Sequence, residues 1–287
     1  MATTLIEPRE LAAHLNDPDW AIIDCRFDLA RPDWGAQSYA AGHIPHALYA
    51  HLDRDLSAPR TPRSGRHPLP KPETLAGTFA RLGIDERVQV VAYDQGPGAF
   101  AARLWWLLRW LGHEQVVVLN GGLPAWERAG LPLASAVEPR ASRQFRANAD
   151  ATQVVSDSEV AQLSSSGALA SGRQLLIDAR SADRFAGENE TIDPVAGHIP
   201  GARNHPYADN LDAQGRFRDP AALRELWART LRSAPPQRLI SMCGSGVTAC
   251  HNLLALEVAG LRGARLYAGS WSEWITDPTH PVARGAE

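Results

Sequence analysis

Residues 243–248 read Cys-Gly-Ser-Gly-Val-Thr and are the clearest candidates for chemistry in the sequence. The cysteine follows an apolar run, 239–242, that is typical of a buried strand, and a helical pattern follows the loop. Gly244 and Gly246 permit the tight turns that let backbone N–H groups wrap a sulfur, and the helix directs its positive N-terminal end at the same atom. Both effects favour thiolate over thiol, so Cys243 is predicted to act as a nucleophile.

The sequence argues against two other roles for its cysteines, phosphatase chemistry and metal binding. A phosphatase loop of the Cys-x5-Arg type needs an arginine six residues after the cysteine to clamp phosphate, and position 249 is alanine. Cys25 falls on a strand pattern and Cys250 one turn into a helix, so both are predicted to pack in the core. No Cys-x-x-Cys pair and no cysteine–histidine spacing of a zinc site is present in the sequence, and we expect no metal.

The elements around Cys243 occur twice in the chain. The matched blocks are 21–26 with 175–180, 41–47 with 196–202, 90–94 with 239–243, and 117–126 with 265–274. Their common order and nearly constant spacing indicate two copies of one domain. We expect a first domain over residues 1–135, a linker over 136–150 and a catalytic second domain over 151–287.

Each copy alternates short β-rich runs with amphipathic segments. In the first copy the runs are 20–24, 88–93 and 115–119, and the amphipathic segments include Thr74 to Leu82 and Ala99 to Leu111. This alternation predicts an α/β fold in which a mostly parallel sheet has helices on both faces. Ligands of such folds bind beyond the carboxyl ends of the strands, where Asp94 and Cys243 are expected.

Comparing the two copies separates structural from functional candidates. Three pairs are shared and are predicted to be structural: Asp24 with Asp178, Arg26 with Arg180, and His43 with His198. Cys243 is not shared, because the first copy has Asp94 at that position. Since aspartate cannot do thiol chemistry, the first domain is predicted to be non-catalytic.

The sequence resembles the tandem-domain sulfurtransferases of the rhodanese family over nearly its whole length. The likeness is carried by Asp-x-Arg, by Gly-His-Ile-Pro, by the strand–Cys–loop–helix pattern and by Gly-Ser-Trp-Ser-Glu-Trp at 269–274. Thiosulfate-preferring relatives place basic residues directly after the cysteine, whereas the neutral loop here is similar to that of 3-mercaptopyruvate sulfurtransferases. The resemblance implies two rhodanese-like domains that move sulfane sulfur from 3-mercaptopyruvate, through a persulfide on Cys243, to cyanide or a thiol such as thioredoxin. It implies no metal or organic cofactor. The alternatives are thiosulfate as the donor, or a persulfide carrier that another enzyme loads.

The resemblance also assigns a donor site around the loop. Arg184, which precedes Phe185 and has Ala30 as its first-copy counterpart, matches the arginine that holds the substrate anion in relatives. Ser245 would hydrogen-bond the carbonyl or the leaving group. The backbone N–H groups would hold the persulfide; they belong to Gly244, Gly246, Val247 and Thr248 as well as to Ser245.

One feature of the family pattern is missing from this sequence, and another has candidate residues in it. Mercaptopyruvate-specific members carry a second anion-binding arginine about nine residues after the first, and Gly187 to Asp193 contains none. A Ser–His–Asp relay, as in some relatives, would map to Ser245, His43 and Asp33.

Composition limits the partners. The 287 residues carry a formal charge of −3, which offers no basic field for a nucleic-acid backbone but suits a small anionic donor. Three cysteines are too few for a disulfide framework and indicate a reducing compartment. The most apolar stretch, Phe100 to Leu111, is interrupted by Arg103 and Arg109, and the N-terminus lacks the pattern of a secretory signal. We therefore expect a soluble, cytoplasmic protein without a membrane partner.

Overall fold

The computed structural model describes residues 4–285, whose strands and helices alternate as predicted. The chain divides into two compact units. Unit 1 comprises the chain to Ala58, Pro70–Asp150 and Ala213–Phe217; unit 2 comprises Pro59–Leu69, Ala151–Asp212 and the chain from Arg218. Each unit therefore contains a short segment from the other half of the sequence. Residues 136–150, predicted as a linker, cluster with unit 1, where Arg140 donates hydrogen bonds to the carbonyls of Gly83 and Trp20.

Unit 1 is built on a five-stranded sheet in which every paired strand is parallel, in the order β1-β5-β4-β2-β3. Its strands are β1 Leu5–Ile6, β2 Trp20–Asp24, β3 Leu48–Tyr49, β4 Gln89–Tyr93 and β5 Val116–Leu119. Its helices are α1 Pro8–Ala12, α2 Trp34–Ala41, α3 Leu52–Asp55, α4 Pro72–Arg81, α5 Ala99–Trp110 and α6 Gly122–Arg128. The central strand β4 is buried from Val90 to Tyr93, as expected of a strand covered on both faces.

Unit 2 repeats this plan with a four-stranded parallel sheet in the order β7-β6-β8-β9. Its strands are β6 Leu175–Asp178, β7 Arg203–Asn204, β8 Leu239–Met242 and β9 Arg265–Leu266. Its helices are α7 Asp157–Ser165, α8 Ala182–Ala186, α9 Pro220–Leu231, α10 Thr248–Val258 and α11 Ser270–Trp274, with 3-10 turns at Ala151–Gln153, Tyr207–Asn210 and Pro236–Arg238. Both sheets are flanked by helices, so the predicted α/β fold is confirmed. Within residues 4–285 no helix has the length and apolar character to cross a bilayer.

The Asp-x-Arg motif shared by the two copies has the same structural role in each unit. In unit 1, Arg26 Nη2 lies 2.6 Å from Asp24 Oδ2 and 2.7 Å from the carbonyl oxygen of Gly42. In unit 2, Arg180 Nη2 lies 2.7 Å from Asp178 Oδ2 and 2.7 Å from the carbonyl oxygen of Gly197. A buried carboxylate at the end of a strand thus orients a guanidinium that fixes the glycine of the Gly-His-Ile-Pro segment. The shared residues are structural, as predicted.

Tryptophans at equivalent positions of the two copies lie in the core of each unit and make the same kind of hydrogen bond. Trp126 in α6 and Trp274 in α11 occupy equivalent repeat positions, and both are fully buried. Their indole N–H groups donate to the carbonyls of Pro132, at 2.8 Å, and Pro281, at 3.0 Å. Each indole is therefore buried without an unpaired donor.

Candidate active site

Cys243 lies directly after β8, at the carboxyl end of the sheet of unit 2, and α10 begins five residues later at Thr248. Its side chain is 2% exposed. The sulfur accepts hydrogen bonds from the backbone N–H groups of Gly246, at 3.2 Å, and Ser245, at 3.5 Å. Gly244, Val247 and Thr248 complete the loop and the first turn of α10. Two backbone donors of the loop therefore contact the sulfur, close to the N-terminal end of α10.

Two glycines give this loop its shape for different reasons. Gly246 has a φ of +75°, and a Cβ there would lie 2.2 Å from the carbonyl oxygen of Ala268. Only glycine fits that position without moving the backbone. A Cβ at Gly244 would lie 2.8 Å from Nη2 of Arg66 and 3.6 Å from Nη2 of Arg184. Two guanidinium groups thus lie beside the residue that follows the nucleophile.

The loop is fixed from its other side by α11, which carries the Ser-Trp-Ser motif. The N–H of Cys243 donates to Ser270 Oγ at 3.0 Å, and the carbonyl of Cys243 accepts from the N–H of Trp271 at 3.0 Å. The N–H of Ser272 donates to the carbonyl of Gly244 at 2.9 Å. These bonds hold the backbone on both sides of the sulfur. Ser270 itself has a φ of +56°, which is unusual for a residue with a side chain.

Ser245 is paired with a histidine that the sequence analysis did not identify. Its Oγ lies 2.7 Å from Nδ1 of His67, and both side chains are buried. His67 belongs to the segment Pro59–Leu69, which is part of unit 2 although it comes from the first half of the sequence. The segment is anchored by a 3.0 Å hydrogen bond from the N–H of Arg66 to Ser272 Oγ.

His43 and Asp33, the residues predicted to complete a relay with Ser245, have other partners. Nδ1 of His43 lies 2.7 Å from the carbonyl oxygen of Tyr39, and its ring stacks on that of Tyr39. Asp33 is exposed and accepts a hydrogen bond from Arg54 at 3.0 Å. The physical reason is that His43 packs within unit 1, where Tyr39 contacts both its Nδ1 and the face of its ring. Its counterpart His198 likewise bonds the carbonyl of Phe185 and stacks on its ring. The structure therefore places His67, and not His43, at the serine.

Arg184 belongs to a nearly buried network of charges beside the loop. It lies in the last turn of α8, and its Nη2 is 2.9 Å from Glu190 Oε1 and 3.2 Å from Asp193 Oδ2. Arg66 contacts the other oxygen of Asp193 through Nη1. Burial acts to raise the pKa of Glu190, but hydrogen bonds from Arg184 and the backbone hold it below the usual value. Burial raises the pKa of Asp193 in spite of the opposing effect of Arg66. Two arginine side chains, 15% and 17% exposed, thus share one carboxylate.

The equivalent loop of unit 1 binds its own carboxylate. Asp94 accepts hydrogen bonds from four backbone N–H groups: those of Gly96 at 2.9 Å, Gly98 at 3.0 Å, Phe100 at 2.9 Å and Ala101 at 3.2 Å. Its carbonyl accepts from the N–H of Leu123, just as that of Cys243 accepts from Trp271. Both loops therefore direct N–H groups at the side chain that follows the central strand. In unit 1 that side chain is a buried carboxyl group, which cannot react as a thiol.

Both halves of the chain match the same family model. The family described as "Rhodanese-like domain" matches residues 7–129 and 157–277. The chain is 50% identical over 284 residues to a probable 3-mercaptopyruvate sulfurtransferase of Pseudomonas aeruginosa, covering 98% of each chain. It is 39% identical to a putative thiosulfate sulfurtransferase of Mycobacterium tuberculosis, covering 98% of this chain and 97% of that one. The solved structure of 3-mercaptopyruvate sulfurtransferase from Leishmania major superposes with a TM-score of 0.83 at 33% identity, covering 95% of this chain and 74% of that one.

Proposed function

The chain belongs to the rhodanese family, and we propose that it transfers sulfur from 3-mercaptopyruvate, through a persulfide on Cys243, to a thiol or cyanide. The observation that carries the proposal is the position of the Cys243 sulfur, which follows the central strand and accepts two N–H bonds from its own loop. The relatives at 50% and 39% identity, named for mercaptopyruvate and thiosulfate respectively, support sulfur transfer as the reaction class.

In the first half-reaction, Arg184 orients the carboxylate of the donor beside the loop. The Cys243 thiolate attacks the donor sulfur, so that an S–S bond forms and the C–S bond breaks. The electron pair of the broken bond passes to the departing pyruvate as its enolate, which then takes up a proton. Ser245 hydrogen-bonds the enolate oxygen, and His67 holds the hydroxyl in position from 2.7 Å.

In the second half-reaction, an acceptor attacks the outer sulfur of the persulfide. Cyanide leaves as thiocyanate, and a thiol such as that of thioredoxin leaves as a persulfide; either returns Cys243 to the thiolate. Between the two steps, the N–H groups of Ser245 and Gly246 stabilise negative charge on the bound sulfur. This is a double displacement that uses no metal or organic cofactor.

The donor is tested by steady-state kinetics on the purified protein with 3-mercaptopyruvate and thiosulfate in parallel. We expect kcat/KM to be higher for 3-mercaptopyruvate by at least about tenfold, because Gly244 and Ser245 offer no cation to a compact dianion. Thiosulfate is the second candidate for the donor, because the Mycobacterium relative is named as a putative thiosulfate sulfurtransferase. A ratio in favour of thiosulfate would overturn the choice of donor and leave the persulfide mechanism standing.

Ser245 and His67 are expected to act as one unit. Ser245→Ala and His67→Gln should each lower kcat with 3-mercaptopyruvate by roughly 10- to 100-fold, because each leaves the enolate oxygen without an oriented donor. The double variant should be no slower than the slower single variant. Stopped-flow release of pyruvate measures the step directly. Effects that multiply in the double variant would show that the two residues act separately.

We propose the cytoplasm as the compartment of the protein. The support is chemical: Cys25, Cys243 and Cys250 are buried and form no disulfide, and the persulfide cycle needs Cys243 to return to the reduced form.

A further inference from the structure

Unit 2 has a surface cavity of about 320 Å³ that the mechanism above does not use. It is lined by β7, by the loop before β6 and by the end of α9. That loop and the end of α9 both precede strands of a parallel sheet, so the cavity lies at the amino end of those strands. Cys243, in contrast, follows the carboxyl end of β8. The cavity and the nucleophile therefore lie at opposite ends of the sheet of unit 2.

The lining of this cavity is basic. It includes Arg203, Arg229 and Arg232, and none of its lining residues is acidic. Within residues 4–285 the side chains of Arg203 and Arg232 form no ion pair and no hydrogen bond. Arg229 pairs with Glu225, but the two side chains are 73% and 74% exposed, and such a pair contributes little. Three guanidinium groups thus line one cavity, and in the described part of the chain two of them have no counter-ion.

Comparison of the two copies shows that the sheet does not need Arg203. Arg203 pairs with Ile177 in the sheet of unit 2, and the equivalent Ile23 of unit 1 pairs with Leu48. An apolar side chain therefore satisfies the fold at this position. Arg203 is half-buried, so its guanidinium loses hydration without gaining an acceptor from the protein. A bound anion would supply that acceptor.

The backbone adds a further donor to the cavity. Ala170 lines it, and the N–H of Ala170 has no acceptor among the described residues. A Cβ at Gly201 would lie 2.9 Å from that nitrogen, so glycine keeps the N–H uncovered. The backbone angle alone does not require glycine, because the equivalent His46 of unit 1 has a φ of +64° against +82° for Gly201. An uncovered N–H and three guanidinium groups are donors suited to phosphate oxygens.

From these observations we propose that the cavity binds the phosphate group of a small molecule, with Arg203 and Arg232 as its main ligands. Arginine binds phosphate oxygens through two parallel N–H bonds. A phosphate monoester carries close to two negative charges at neutral pH, which matches the two guanidinium groups without a counter-ion. The volume of about 320 Å³ is at the lower end of the range for small-molecule sites and leaves room for an organic group beside the phosphate. The proposal goes beyond the proposed sulfur transfer and does not depend on it.

Isothermal titration calorimetry of the full-length protein with inorganic phosphate, at constant ionic strength, measures the binding. Arg203→Leu and Arg232→Gln should each raise the Kd for phosphate by about tenfold or more, because each removes charged hydrogen bonds to the anion. The matched control is Arg238→Gln, since Arg238 is an exposed arginine of unit 2 that does not line the cavity. Its loss should leave the Kd unchanged.

Alkylation of Cys243 by iodoacetamide distinguishes this cavity from the catalytic loop. Phosphate at a concentration that saturates the wild type should not slow the alkylation, because the cavity lies at the other end of the sheet. Thermal unfolding checks that each variant is folded; if Arg203→Leu is not, the exposed Arg232 carries the test through Arg232→Gln. Absence of phosphate binding by the wild type, an unchanged Kd in the folded variants, or protection of Cys243 with the same midpoint as binding would each overturn the proposal.

A parallel titration with ribose 5-phosphate distinguishes the two sources of a phosphate group. Tighter binding than that of inorganic phosphate would support a phosphate ester as the ligand, because the organic group then contacts the rest of the cavity. Equal or weaker binding would overturn the organic part of the proposal and leave inorganic phosphate as the ligand. In either case Arg203→Leu should weaken the binding of both probes.

Discussion

Cys243→Ser is expected to lower sulfur transfer from any donor by a factor on the order of 10⁵, the scale of losing a catalytic nucleophile. A hydroxyl at this position can accept the same N–H bonds from Ser245 and Gly246, but at neutral pH it is not ionised and cannot hold sulfane sulfur. The replacement is nearly isosteric, and the backbone bonds of residue 243 to Ser270 and Trp271 do not involve the side chain. Stability should therefore change little.

Two measurements check this result. Steady-state turnover gives the loss of activity, and intact mass after mixing with 3-mercaptopyruvate shows whether one sulfur atom is added. The matched control is Cys25→Ala: Cys25 is a buried thiol of unit 1 whose pKa is raised well above the usual range by burial, so we expect it to take no part in sulfur transfer. This control should keep both the activity and the adduct. Substantial turnover by Cys243→Ser, or an adduct on it, would contradict the proposed mechanism.

Most of the fold could be predicted because the sequence contains it twice. The four repeated blocks fall on matched elements, for example β2 Trp20–Asp24 with β6 Leu175–Asp178 and β4 Gln89–Tyr93 with β8 Leu239–Met242. Apolar runs of this length between turn residues are typical of buried parallel strands, and the carboxyl end of such a strand is where Cys243 was expected. Periodicity and repeats are local signals, so they predicted local structure well.

Arg66 and His67 could not be predicted in this way because their place depends on the path of the chain. The segment Pro59–Leu69 is rich in proline and arginine, has no regular periodicity, and joins the unit to which its sequence neighbours do not belong. A weak signal was present. Gly65-Arg66-His67 corresponds to Gly215-Arg216-Phe217, which lies in the segment Ala213–Phe217 of unit 1. The histidine is not shared between the two segments, so the comparison of halves that selected Cys243 could also have selected His67.

Ser270 gives a second case in which the comparison of halves is informative. Its counterpart in unit 1 is Gly122, and the two residues have nearly the same φ, +56° and +59°. Glycine takes that conformation without strain, whereas serine does not. The serine Oγ is what differs, and it accepts the N–H of Cys243 while donating to the carbonyl of Tyr267. Backbone strain at Ser270 thus coincides with the extra hydrogen bond that the catalytic unit makes to its nucleophile.

Asp94→Ala is expected to lower the free energy of unfolding by about 3–5 kcal/mol, the largest effect on stability that we predict for a single residue. The carboxylate is completely buried and accepts bonds from four N–H groups, and alanine would leave all four without an acceptor. Burial raises the pKa of Asp94 in spite of these bonds, so the four N–H groups offset the desolvation of the carboxylate only in part. Asp94→Asn, which keeps one oxygen but turns a donor toward the loop, should recover only part of the loss.

Urea denaturation measures the change, and hydrogen exchange at the N–H groups of Gly98 and Ala101 locates it in the loop. The control is Asp33→Ala in the same unit, whose exposed pair with Arg54 should contribute within about 0.5 kcal/mol. If Asp94→Ala lowers the unfolding free energy by less than about 1 kcal/mol, the four N–H groups do not depend on an anion. The parallel between the two loops would then fail, because a loop built to surround negative charge must lose stability when that charge is removed. A loss of the expected size would mean that both halves of the repeat bind an anion at the end of the central strand, and that only unit 2 has one able to accept sulfur.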